Sequence, residues 1–315
     1  MPMAYALVFP GQGAQSVGML DALAEVYPVV QETFAEASGA IDLDLWRLAS
    51  EGPAELLDAT EQTQPVLLTA SIAALRALES HGALAPAAVA GHSLGEYAAL
   101  VAAGTLSLTD AVRLVRRRGL LMAEAVPAGQ GAMAAILGLD DDAIAEACAE
   151  AAGDEVVSPA NFNAPGQIVI AGHSTAVERA IEGCKARGAK RAMALRVSGP
   201  FHSALMAPAA EAFRADLEAV SFQPATVPVY QNVTAAPTRD PTALRDQLLV
   251  QLSAPVQWTR SVQAMGAAGL TATVECGPGA VLATMVRRID KAITCHATGT
   301  PEALGKTWDA LEAGL

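Results

Sequence analysis

The chain has 315 residues, 52% of them hydrophobic but only 4% aromatic, so its core is built from small and aliphatic side chains, as suits a helix-rich α/β protein. Its 20 basic and 33 acidic residues leave a net charge of −13, which disfavours a nucleic-acid binder. No apolar run approaches the ~20 residues a membrane-spanning helix needs, and Met1-Pro2-Met3-Ala4-Tyr5 puts no basic stretch before an apolar one, so the expected location is cytoplasmic.

Ala6-Leu7-Val8-Phe9 reads as a first buried strand running into the turn Pro10-Gly11-Gln12-Gly13-Ala14-Gln15. That turn has neither of the phosphate-binding glycine patterns. Residues 18–87 read as helices broken at Pro28, Gly39, Gly52-Pro53 and Gly82, with an apolar helix around Gln64–Leu75.

Ala88-Val89-Ala90-Gly91-His92-Ser93-Leu94-Gly95-Glu96-Tyr97 then passes from a short apolar strand into a helix through G-x-S-x-G. In that context the motif is a nucleophile elbow, with Ser93 lifted at a sharp turn and glycines where strand and helix cross. Without it, the motif would be a turn with a surface serine. The first helical N–H groups, starting with Leu94, would face a developing oxyanion, and the Gln12 loop is placed to supply a second donor.

A further helix starts at Ser107-Leu108-Thr109-Asp110 and carries Arg116-Arg117-Arg118. Successive helical residues point about 100° apart, so the three cannot share a face. The run is either a solvated stripe or includes one guanidinium turned inward to grip a carboxylate.

Residues 128–197 read as a separate unit of order β-α-β-β-α-β, the ferredoxin-like pattern. Its strands are expected at Gly131–Leu137, Glu155–Asn163, Gln167–Gly172 and Ala192–Val197. Its helices are expected at Asp140–Ala152 and, capped by Ser174, up to Arg187. The expected fold is an α/β-hydrolase-like large domain, residues 1–127 and 198–315, with this small domain inserted. In the second segment, a helix is expected from about Ser203, a strand at Val227–Val233, a helical segment starting at Gln251, a strand at Thr271–Cys276 and a helix carrying Arg287, Arg288 and Lys291.

A serine nucleophile needs a base. Among the five histidines, His92 is turned away by the elbow, His81 and His296 read as loop residues, and His173 ends a small-domain strand. His202, beside Pro200 and Phe201, is preferred, ahead of His296. No Asp or Glu before it has the position of a triad acid, so a Ser–His dyad oriented by a backbone carbonyl is expected. Cys148, Cys184, Cys276 and Cys295 show no metal-ligand spacing, and no metal is expected.

Several stretches together resemble the malonyl-CoA:acyl carrier protein transacylases of bacterial type II fatty-acid synthesis. They are Phe9-Pro10-Gly11-Gln12-Gly13-Ala14-Gln15, Gly91-His92-Ser93-Leu94-Gly95-Glu96-Tyr97, Arg118-Gly119 with Met122, Gly131-Ala132-Met133, Asn161 through Gln167, Gly199-Pro200-Phe201-His202-Ser203 with Leu205-Met206, Gln251-Leu252 with Pro255-Val256, and Glu275-Cys276-Gly277-Pro278-Gly279. The resemblance implies Ser93 as nucleophile, His202 as base, Gln12 and Leu94 as oxyanion hole and Arg118 as partner of the malonyl carboxylate. It implies that the Gln251 carbonyl orients His202, and that Gln251, Asn161, Met133, Phe201 and Met122 belong to the substrate site.

Malonyl-CoA and acyl carrier protein are the implied partners, with no bound cofactor, no nucleic acid, no membrane and a monomer as the default. Ala280 departs from the family's Gly-Pro-Gly-Lys turn, leaving Lys190, Arg191, Arg287 and Arg288 as candidates for docking an acidic carrier, or as ordinary surface charge. A polyketide-pathway acyltransferase, an esterase or thioesterase and a non-catalytic carrier-binding module are the alternatives.

Overall fold

A computed structural model describes residues 4–195, 197 and 199–314. Arg196 and Ser198, at the expected end of the small unit, lie outside the described residues, as do residues 1–3 and Leu315.

The described strands are β1 (Ala4–Phe9), β2 (Ala88–Gly91), β3 (Gly131–Leu137), β4 (Val157–Ala164), β5 (Gln167–His173), β6 (Arg191–Ala194), β7 (Val229–Tyr230), β8 (Pro237–Thr238), β9 (Leu270–Glu275) and β10 (Thr294–Ala297). One sheet has the order β10-β9-β1-β2-β7-β8, parallel except for the β8 edge. The period-2 alternation of β1 explains why its whole run is apolar. Tyr5, Leu7 and Phe9 enter one core with the helices of residues 21–124, whereas Ala6 and Val8 enter another with Val256, Trp258 and Val286.

The second sheet is antiparallel, order β4-β5-β3-β6, as a ferredoxin-like unit requires. Ala134, Ile136, Ile168 and Ile170 pack against helices Asp141–Ala152 and Ser174–Ala186. Met133, Ala160, Val169 and Ala171 instead join the core of the large sheet. Pairing of Ala160 and Phe162 with Val256 fastens this sheet to the rest of the chain.

The sequence reading needs local corrections. Gln251 does not start a helix. It ends the helix Pro241–Gln251, which Asp240 caps and Pro241 opens, and the next helix begins only at Trp258 after Pro255. The strand expected at Val227–Val233 is just Val229–Tyr230, because Gln231 and Asn232 turn away. The last small strand is Arg191–Ala194. Ser174 is the first residue of its helix rather than its cap, its hydroxyl donating to the Gly129 carbonyl. His296 lies in β10, not a loop.

Candidate active site

The parallel arrangement of β1 and β2 brings the Gln12 loop and the elbow to the same sheet end. The chain leaves β2 at Gly91, turns through Ser93 at φ 51° and enters the helix Gly95–Ala102. A left-handed serine is strained, and the turn is held from several sides. The His92 amide donates to the Phe9 carbonyl at 3.0 Å, and the Ser93 amide donates to Asn232 Oδ1 at 2.6 Å. Asn232 Nδ2 donates to the Gly91 carbonyl at 2.6 Å. A Cβ on Gly91 would stand 1.9 Å from the Gly95 carbonyl group, and one on Gly95 would stand 2.0 Å from the Phe9 oxygen. Only glycines permit this crossing.

Ser93 Oγ lies 2.7 Å from His202 Nε2, and His202 Nδ1 lies 2.8 Å from the Gln251 main-chain oxygen. A carbonyl can only accept, so Nδ1 carries the proton and Nε2 is the acceptor for the serine hydroxyl. His202 is itself left-handed, at φ 58°, just after Pro200. Burial, reinforced by the nearby Arg118 charge, lowers the imidazole to about 3, so it is neutral and able to take a proton.

Arg118 is the inward member of the arginine run, 1% exposed. Its Nη1 donates to Gln64 Oε1 at 2.8 Å, and its Nη2 donates to Gln251 Oε1 at 2.9 Å and to Ser93 Oγ at 3.3 Å. The neighbours take the other course: Arg116 donates to the Glu61 carbonyl and Arg117 pairs with Asp216.

Ser93, His202, Gln12, Leu94, Arg118, Met122, Met133, Asn161 and Phe201 all line one cavity of about 240 Å³. The Gln12 and Leu94 backbone N–H groups donate to no acceptor among the described residues. Gln251 is corrected: it does not line the cavity but lies fully buried behind it, bonded to His202, Arg118 and Glu96. Lys190, Arg191, Arg287 and Arg288 are exposed and outside the cavity. Arg288 reaches Gln167 Oε1 and the Pro165 carbonyl across the small-sheet hairpin.

Sequence reasoning missed the parts that depend on long-range packing: Gln64, Asn232, and Asn163, whose Oδ1 accepts from His92 Nε2 at 2.7 Å. It also gave no role to Glu96, although a lone carboxylate among Gly, Tyr, Ala and Leu was a signal of a buried acid. Glu275 caps from below, its carboxylate accepting the Leu282 and Ala283 amides and so seating the helix Val281–Ile289 at the cavity wall. No group of three or more His, Cys, Asp or Glu among the described residues could hold a metal. No described helix is long and apolar enough to cross a membrane.

The acyl transferase domain family matches residues 6–303. The malonyl CoA-acyl carrier protein transacylase of Escherichia coli K12 is 56% identical over 300 residues, covering 95% of this chain and 97% of the relative. An acyl carrier protein S-malonyltransferase crystal structure from Vibrio cholerae superposes with TM-score 0.94 at 51% identity, covering 96% of this chain and 99% of that one. A malonyl-transacylase solved in complex with a type II polyketide-synthase acyl carrier protein gives TM-score 0.95 at 48% identity, covering 97% and 99%. With a serine elbow facing a buried imidazole and likeness along nearly its whole length, the chain belongs to the acyl transferase family, among the malonyl CoA-acyl carrier protein transacylases.

Proposed function

We propose that the chain moves a malonyl group from coenzyme A to the phosphopantetheine thiol of an acyl carrier protein, through a malonyl ester of Ser93. The observation that carries this reading is the placement of Ser93 Oγ within reach of both His202 Nε2 and Arg118 Nη2 in one cavity. A base and a carboxylate-gripping fork at the same hydroxyl suit an acid-bearing acyl group.

Ser93 Oγ attacks the thioester carbonyl while its proton passes to His202 Nε2. The oxyanion is received by the Gln12 and Leu94 N–H groups, each worth about 3–4 kcal/mol of barrier. The imidazolium gives its proton to the departing coenzyme A sulfur. The carrier thiol then attacks the ester, giving its proton to His202, and Ser93 recovers a proton as the malonyl-carrier leaves. Met122, Met133, Phe201 and Asn161 shape the acyl pocket, and Arg118 favours acid-bearing acyl groups, since its fork can meet their carboxylate directly and gains nothing from an uncharged one.

In this reading residues 1–127 and 198–315 form the catalytic unit and 128–197 an inserted one. Exposed Arg191 lies on β6, Lys190 just before it, and Arg287 and Arg288 on the helix Val281–Ile289; Leu195, which follows β6, and Val281 and Met285 of that helix line the cavity, a position suited to an acidic carrier. The structural neighbour bound to a polyketide carrier supports a second reading, in which the carrier served belongs to that pathway.

The test is intact-mass spectrometry after mixing with malonyl-CoA. One malonyl adduct is expected, discharged by added carrier thiol and absent in Ser93→Ala. Malonylation of Ser93→Ala at the wild-type rate, or release of malonate as the main product with carrier present, overturns the reading. Titration with purified carriers from both pathways separates the two.

A further inference from the structure

The elbow helix carries a carboxylate that the transfer steps leave unused. Glu96 lies in the first turn of Gly95–Ala102 and is 1% exposed. A charge there is expensive unless it is answered. Its Oε2 accepts from Gln251 Nε2 at 2.7 Å and from the Asn232 amide at 3.3 Å. Two N–H donors on one oxygen favour the ionised form. The same Gln251 amide turns its Oε1 to Arg118 Nη2. Glu96 and Arg118 therefore make no direct ion pair; one glutamine amide stands between anion and cation, oriented by both.

This arrangement has a charge balance. With Arg118 permanently charged and Glu96 ionised, the empty pocket is neutral. An acyl group bearing its own carboxylate brings a second anion to the same guanidinium in a dry site. The arriving carboxylate meets the guanidinium directly, whereas Glu96 meets it only through an amide, so Glu96 is the group that gives way. We propose that Glu96 is the internal counter-charge of Arg118 and takes up a proton from solvent when a malonyl carboxylate settles on the guanidinium, keeping the pocket neutral in both states. This rests on the reading that Arg118 holds that carboxylate. It makes Glu96 a positioning and specificity-determining residue: an acetyl group brings no anion and calls for no proton.

The groups facing Glu96 leave it as the titrating member. Burial has already raised it to about 7. Arg118, from the helix Leu108–Glu124, stays charged although burial lowers it, and Tyr97 on Glu96's own helix is pushed up by burial. His202 is lowered to about 3, and burial lowers His92. Gln251, Asn232 and Gln64, from the remaining elements, do not titrate. A second anion raises Glu96 further. Malonyl affinity is thus complete below about pH 7 and falls above it, by up to about tenfold per pH unit until the bound-state value is reached.

The experiment is calorimetric binding to Ser93→Ala, which cannot be acylated. Malonyl-CoA and acetyl-CoA are titrated at pH 7.5 in two buffers of different ionisation enthalpy, and malonyl-CoA again from pH 6.5 to 8.5. Acetyl-CoA carries the same nucleotide and cancels its phosphates. Expected is uptake of about 0.5–1 proton per malonyl-CoA and none for acetyl-CoA. The double variant Ser93→Ala/Glu96→Gln should bind malonyl-CoA without uptake and with Kd level across the pH range. If the double variant does not fold, the proton count on Ser93→Ala decides alone. Malonyl-CoA binding with no proton uptake, or an unchanged pH slope in the double variant, overturns the proposal. Equal weakening of malonyl-CoA and acetyl-CoA by Arg118→Ala would instead overturn the Arg118 reading on which it stands.

Discussion

The main-chain oxygen of Gln251 holds His202 Nδ1 at 2.8 Å, in the place where a serine triad presents a carboxylate. The imidazole thus receives a dipole rather than a full charge, and that dipole only partly offsets burial and the nearby Arg118 charge, which keep its basicity low.

That relationship has a pH signature. Free histidine begins to protonate near pH 6.5, but His202 at about 3 does not. With acetyl-CoA, which avoids the malonyl charge, kcat/KM is expected to stay level from pH 8 down to about 5. A drop centred near 6.5 would show an ordinary imidazole. Stability should respond in the opposite sense. The unfolded chain takes up this proton below pH 6.5 and the folded one does not, so His202 costs stability as pH falls from 6.5 toward 3, readable in urea midpoints.

Arg118→Ala is expected to cut malonyl transfer roughly a hundredfold or more while acetyl transfer holds or rises. Arg118→Lys should restore little, because an ammonium cannot reach Gln64, Gln251 and Ser93 as a flat fork does. Paired kcat/KM values for the two acyl-CoAs check this; parallel losses would contradict the assignment.

Asn232→Ala should unsettle the elbow without touching the pocket. It strands the Ser93 amide and the Gly91 carbonyl, at about 1–3 kcal/mol for each buried group. Denaturant unfolding should show the loss. The rate of Ser93 acylation should fall more than malonyl-CoA affinity, since the hydroxyl loses its bearing on His202.

Gly95→Ala places a methyl 2.0 Å from the Phe9 carbonyl oxygen, and neither backbone can yield without opening the sheet. More than about 3 kcal/mol of destabilisation is expected, with little folded protein on expression. Gly39→Ala, in open space within the helix Val29–Ile41, is the matched control and should fold normally.

Much of this was legible in the chain because it is written locally. Strand-to-helix switches, glycine spacing and the β-α-β-β-α-β order are patterns of neighbours, and Ser93, Gln12 and the small sheet followed from them. Arg118 could not be separated from Arg116 and Arg117 by spacing; the resemblance singled it out, and the structure shows its fork inside. The helix Pro241–Gln251 was announced by Asp240-Pro241 yet went unread, and with it the position of Gln251. Asn232 and Glu96 meet across 136 positions, and no local period reports such a meeting.

The His92–Asn163 hydrogen bond ties the antiparallel sheet directly to the residue before Ser93, and the pairing of Ala160 and Phe162 with Val256 fastens the same sheet to the segment leading into the helix Trp258–Ala267. Chimaeras that exchange this sheet between transferases to alter acyl choice would therefore also disturb the turn that makes the enzyme work. A graft has to keep Asn163 against His92 and the pairing of residues 160 and 162 with Val256, or acyl preference and turnover will change together.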